Sequence, residues 1–76
     1  MNLEDIKKLV SEVLNIPIES INDNSSINDI IEWDSLSHMT IIINLEKALS
    51  IQFSGEDITE MTSIASIKKT IDANKP

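Results

Sequence analysis

Cysteine is absent from the 76 residues of this chain. Neither disulfide bonds nor thiolate metal sites can form, and any thiol chemistry must come from a group added to the protein. Glycine occurs once and proline twice, too few for a fold built on tight turns, which argues against an all-β architecture. Aromatic side chains amount to one Trp and one Phe, so the core must be aliphatic. Arginine is missing, and six Lys face thirteen Asp and Glu, for a formal net charge of -7. Such a surface repels nucleic acid and anionic membranes, whose binding relies on clustered Lys and Arg. It suits partners that present basic patches, although acids on a small protein also serve solubility alone. No apolar run approaches the roughly 20 residues of a membrane span, and the N-terminus lacks the basic start and apolar stretch of a signal peptide. The expectation is a soluble, cytoplasmic monomer with no nucleic-acid ligand and no stable membrane insertion. A chain this short buries only about 60% of the surface its unfolded form exposes. That leaves one domain over residues 1–76, one modest core and no room for a deep catalytic cleft.

What is present is helical periodicity. Asn2 is placed to cap a first helix, with Glu4 and Asp5 in its first turn. Ile6, Leu9, Val10, Val13 and Leu14 then recur at spacings of three and four, which marks one apolar face. Asn15 tolerates the left-handed conformation that ends helices, and Pro17 blocks continuation, so the helix runs from about Leu3 to Leu14. Residues 15–33 are rich in Asn, Asp and Ser, which favour turns. A loop this long needs packing of its own. Ile16, Ile18, Ile21, Ile27, Ile30 and Ile31 are its expected anchors, with a helical turn near Ile27 to Ile31. Asp34 is a good N-cap for a second helix from Ser35 to about Leu49. Ile51 and Phe53 pack in a short connection, and Ser54 with Asp57 forms a capping-box-like pair for a short third helix through Met61. Thr62 or Ser63 caps a last helix with Ile64, Ile67, Lys68 and Ile71 at helical spacing, and the tail Asn74-Lys75-Pro76 is expected to fray. The fold class is all-α: a small four-helix bundle with a long first loop and a short third helix.

The second helix carries two apolar stripes. At about 100° per residue, Ile41, Ile42, Leu45 and Leu49 fall on one side, with Ala48 at the edge. Leu36, Met39 and Ile43 fall roughly opposite. A surface helix needs one stripe, so the second calls for another helix, the loop or a partner protein to cover it. Ser35 opens this helix between the two sectors. As a nucleophile it would need a base and oxyanion donors. His38, the sole histidine, lies three residues on but projects to the core side, where a half-buried packing role under the loop is expected. No third group orients it, so the constellation falls short of a hydrolase. As a substrate, Ser35 is better placed. A hydroxyl in a helix's first turn sits at the positive end of the helix dipole, where a phosphate ester is favoured. Taken alone, Asp-Ser at a helix start is most often simply a cap.

Trp33-Asp34-Ser35-Leu36 resembles the Asp-Ser-Leu motif of acyl carrier proteins. The resemblance continues through Leu45-Glu46, the Ile51-Gln52-Phe53 connection and Thr62-Ser63-Ile64, and so covers essentially the whole chain. It implies a protein of fatty acid or polyketide biosynthesis that catalyses nothing itself. Ser35 would accept 4'-phosphopantetheine from coenzyme A through a phosphopantetheinyl transferase, and the arm's thiol would hold acyl groups as thioesters. Asp34 would help position the modifying enzyme's cofactor. Leu36, Met39 and Ile43 match positions that family members present to their acyl-loading and acyl-using enzymes, with Glu46 as a charged contact. Family members serving fatty acid synthesis commonly carry acids where this chain has Ser37, Thr40 and Lys47, and a Phe where it has Leu49, which points to a dedicated carrier in a specialised pathway. Peptidyl carriers usually have glycine before the serine, unlike Glu32-Trp33. A peptidyl or aminoacyl carrier and an unmodified helical interaction module stay open as alternatives.

Overall fold

The computed structural model describes residues 1–74. Four helices appear in chain order: α1 (Leu3–Leu14), α2 (Ser35–Leu49), α3 (Gly55–Glu60) and α4 (Ile64–Ala73). The α1 start is a reciprocal box in which Asn2 Oδ1 accepts from the Asp5 N–H at 2.9 Å and the Asp5 carboxylate accepts from the Asn2 N–H. Its end is Asn15, in the left-handed region at φ 56, where asparagine is tolerated better than most residues. The α3 and α4 starts use the same device, with Ser54 capped against Asp57 and Ser63 against Ser66. Of the two residues able to cap α4, Ser63 does so.

The helices bury one aliphatic core. Ile6, Val10 and Leu14 from α1 meet Ile41, Ile42 and Leu45 from α2 and Ile64, Ile67 and Ile71 from α4. Fully burying each such side chain contributes about 1.5–3 kcal/mol. α1 packs against both α2 and α4, and α3 packs on α4. Leu49 joins the core only in part, and Ala48 at the stripe's edge is exposed.

The long loop is ordered and stitched down at separate points. Lys7 Nζ bridges Glu4 at 2.9 Å and Asp23 at 2.7 Å, tying α1 to the loop. Those hydrogen bonds, Asp23 first, raise the ammonium pKa above its ordinary value. Farther on, an antiparallel bridge pairs Ser26 with Ser63. There the Ile27 N–H donates to Thr62 O and the Ile64 N–H to Ser25 O.

Two loop expectations are corrected. The loop's helical turn is a 3₁₀ turn at Ile18–Ser20. The segment from Ile27 to Ile31 instead folds as hydrogen-bonded turns, because its N–H groups pair with Thr62 and with nearby carbonyls. Ile21 and Ile30 are buried and Ile16 and Ile27 pack on the core, but Ile31 is 96% exposed. It lies in the turn between buried Ile30 and buried Trp33, and neighbouring residues of so tight a turn cannot all face inward. At the C-terminus, Asn74 caps α4, with its side-chain amide donating to Thr70 O; Lys75 and Pro76 of the expected fraying tail lie outside the described residues.

Ser50 ends α2 at φ 56, ψ 40, a conformation that a serine adopts at a cost. Ser50→Gly should stabilise the protein by roughly 0.5 kcal/mol, the relief of left-handed strain less the entropy glycine adds to the unfolded chain. Urea denaturation of both proteins checks this, and a lower midpoint for the variant would contradict it.

Candidate functional site

The start of α2 is organised by Asp34. Its backbone is extended (φ -102, ψ -175), and its Oδ1 accepts from the Ser37 N–H at 2.8 Å. The His38 N–H donates to Asp34 O at 2.8 Å, closing the first turn. The Ser37 backbone and side chain hold the Asp34 carboxyl below its ordinary pKa, because each hydrogen bond favours the ionised form. Ser35 is therefore the first helical residue, and it is exposed. No hydrogen bond to another described residue ties down its hydroxyl.

The second stripe lies open. Leu36 is 80%, Met39 44% and Ile43 47% exposed, so the rest of the fold leaves Leu36 largely and the other two partly uncovered. Thr40 and Lys47 lie along the same face and are exposed as well. Glu46 is half-buried, and its Oε2 accepts from the Phe53 N–H at 2.9 Å. Its carboxylate thus pins the α2–α3 connection, whatever it does toward a partner.

His38 is more deeply placed than a half-buried packing residue. It is buried, its Nδ1 accepts from the Trp33 indole N–H at 3.1 Å, and its Nε2 lies 3.0 Å from Ile58 O. An Nδ1 that accepts leaves the proton on Nε2, which then donates to the α3 carbonyl. Both ring nitrogens are engaged away from Ser35, so the ring offers no base to that hydroxyl. Sequence reasoning missed this relay. The available signal was a lone Trp immediately before Asp34 and a lone His four residues after Asp34, but neither spacing alone shows that the indole turns inward. Among the described residues, no group of three or more His, Asp or Glu side chains is arranged to hold a metal ion. No described helix is long and apolar enough to cross a membrane.

Comparison with known proteins adds independent findings. The family model described as phosphopantetheine attachment site matches residues 4–71. An acyl carrier protein from Buchnera aphidicola subsp. Schizaphis graminum is 36% identical over 67 residues, 88% of this chain and 81% of that protein. The polyketide-8 synthase acyl carrier protein 2 of Streptomyces avermitilis is 25% identical over 64 residues, 84% of this chain and 74% of that one. The solution NMR structure of a holo acyl carrier protein from Geobacter metallireducens superposes with a TM-score of 0.81 at 27% identity, covering 93% of this chain and 82% of that one.

The Asp34 cap carries a pH signature. With its carboxyl pKa lowered by folding, the cap's contribution is present above the unfolded pKa, near 4, and is lost as pH falls through the folded value. Asn caps about as well as Asp but does not titrate. Asp34→Asn should match the parent in melting temperature at pH 7 and lose less of it between pH 5 and pH 3. Parallel melting-temperature profiles would contradict the assigned role.

Proposed function

Because this chain belongs to the phosphopantetheine attachment-site family of acyl carrier proteins, we propose that Ser35 is the residue that carries the arm. An acyl carrier protein is a non-catalytic carrier with a covalently attached phosphopantetheine group, and it works with a phosphopantetheinyl transferase and with enzymes of acyl metabolism. The observation that carries the assignment is the exposed Ser35 hydroxyl in the first turn of α2, directly after the capping Asp34. Several other serines are committed within the fold. Ser11 and Ser25 are buried, and Ser54, Ser63 and Ser66 are held in caps.

The residues present fit the group. A phosphodiester on Ser35 would lie at the positive end of the α2 dipole, and an exposed first turn admits the transferase. When attached, the group supplies a terminal thiol that holds acyl cargo as a thioester. Asp34 keeps the first turn formed and offers a carboxylate beside the hydroxyl during modification.

Leu36, Met39 and Ile43 form the docking face for partner enzymes, with Glu46 at its edge. Glu46 is the only acid within α2, and Lys47 follows it directly. Partners of this carrier therefore rely on apolar contact more than on a basic patch, in keeping with a dedicated role in a specialised pathway. We read residues 1–76 as one carrier unit, acting as a cytoplasmic monomer.

Two experiments test this reading. With coenzyme A and a broad-specificity phosphopantetheinyl transferase, the protein should gain the mass of one arm and one titratable thiol. Ser35→Ala should fold with the same helicity and gain neither, and a mass gain in that variant would sink the assignment.

The docking face is tested separately. Met39→Ala should weaken the complex with a partner enzyme by on the order of 1 kcal/mol, chiefly through faster dissociation, with helicity intact. Salt should affect binding only modestly. If Met39→Ala and Ile43→Ala unfold the protein yet leave residual binding unchanged, the stripe belongs to the core.

A further inference from the structure

The geometry points to Trp33 and His38 as positioning residues for modification at Ser35, an inference that rests on the carrier reading. The chain reaches α2 through two consecutive turns, with the Trp33 N–H donating to Ile30 O and the Asp34 N–H donating to Glu32 O, both at 3.1 Å. From Ile31 to Ser35 every side chain except that of Trp33 is exposed. The indole is thus the one buried side chain among the five residues that end in Ser35.

That side chain is itself held by hydrogen bonding. The indole N–H, buried and with no access to water, finds its acceptor in His38 Nδ1. The imidazole is fixed in turn by Nε2–H donating to Ile58 O of α3. Each bond sets the other, because acceptance at Nδ1 places the proton on Nε2. His38 lies one turn past Ser35 on the same helix. The first turn of α2 is therefore clamped at the loop side by Trp33 and at the α3 side by the imidazole, and the direction in which Ser35 leaves the surface follows from both.

The clamp is local. Earlier loop residues are stitched to the α3–α4 connection by Ile27 N–H to Thr62 O at 2.8 Å and Ile64 N–H to Ser25 O at 2.9 Å. The Trp33 ring is part of the buried core, but the relay's two hydrogen bonds run only to His38 and to Ile58 O. Losing the relay should therefore free residues 30–37 and leave the bundle and most of the docking face, Met39 and Ile43, in place. A transferase would still bind, but the serine hydroxyl would spend less time in line with its cofactor. The effect belongs in kcat rather than KM.

The test uses the full chain in three variants. His38→Leu removes both ring nitrogens, His38→Gln keeps one acceptor and one donor, and Trp33→Phe keeps an aromatic ring but deletes the indole N–H. Each is assayed for arm transfer by intact mass, with kcat and KM resolved for the carrier as substrate, and for amide hydrogen exchange. His38→Leu should lower kcat by tenfold or more with KM within about twofold. Exchange should accelerate at Trp33, Asp34 and Ser37, whose N–H groups are hydrogen-bonded around the start of α2, while the α1 and α4 amides keep their protection. His38→Gln should recover most of the rate, and Trp33→Phe should lower it in the same direction as His38→Leu. Should His38→Leu fail to fold, Trp33→Phe decides the matter alone. Unchanged kcat in that variant, no rescue by Gln, or exchange that accelerates equally in all helices would overturn the proposal. If the parent protein takes up no arm at Ser35, the carrier reading fails instead, and the exchange pattern still decides whether the relay holds the first turn.

Discussion

One imidazole joins three parts of this molecule. His38 belongs to α2, accepts from Trp33 at the end of the long loop and lies against the Ile58 carbonyl of α3. Each partner has little else of its kind. The loop end presents only one buried side chain after Ile30. α3 has six residues, none of them fully buried, and a helix that short is not stable by itself. A buried indole N–H left without an acceptor costs about 1–3 kcal/mol, a large fraction of the roughly 4–11 kcal/mol expected for a domain of this size. Such a group is retained because its polar atoms are satisfied at both ends. Among the described residues, no buried side-chain polar atom lacks a hydrogen-bond partner.

Around this junction α2 serves two surfaces. Ile41, Ile42 and Leu45 face the core while Leu36, Met39 and Ile43 face outward. The helix can afford an apolar outer stripe because the acids that carry the chain's net charge of -7 lie mostly elsewhere. Glu4, Asp5 and Glu12 are on α1, Glu32 and Asp34 flank the start of α2, and Glu56 and Glu60 are exposed on α3. On the docking role proposed above, such a strip would favour partners with an apolar centre, while charge elsewhere on the surface would act on encounter rather than on residence. The Glu46 carboxylate, next along the helix from this strip, holds the Phe53 N–H.

Much of the fold was legible because its rules are local. Asn2 and Asn15 bound α1, Asp34 opens α2, and Ser54 with Asp57 opens α3 through hydrogen bonds that span three or four residues. A pattern over one turn is enough to see them. The two-sided pattern of α2 was equally visible, but not which side would be left open. The loop was legible only in part. Its isoleucines marked it as packed, yet Ile31 points to solvent while Ile30 points inward, a choice made by turns whose partners include the distant Thr62.

The sequence by itself determined the helix boundaries, the aliphatic character of the core, the absence of any native thiol and the place of Ser35 at a helix start, because capping, periodicity and composition act within a few residues. Only the tertiary structure decided that the second stripe of α2 stays exposed, that Glu46 turns onto Phe53, and that Trp33, His38 and Ile58 meet. Those outcomes depend on which surfaces the packing of α1, α3, α4 and the loop leaves free. They also depend on buried polar groups finding partners up to twenty residues away, and no pattern of neighbours along the chain specifies which partner a buried donor will reach.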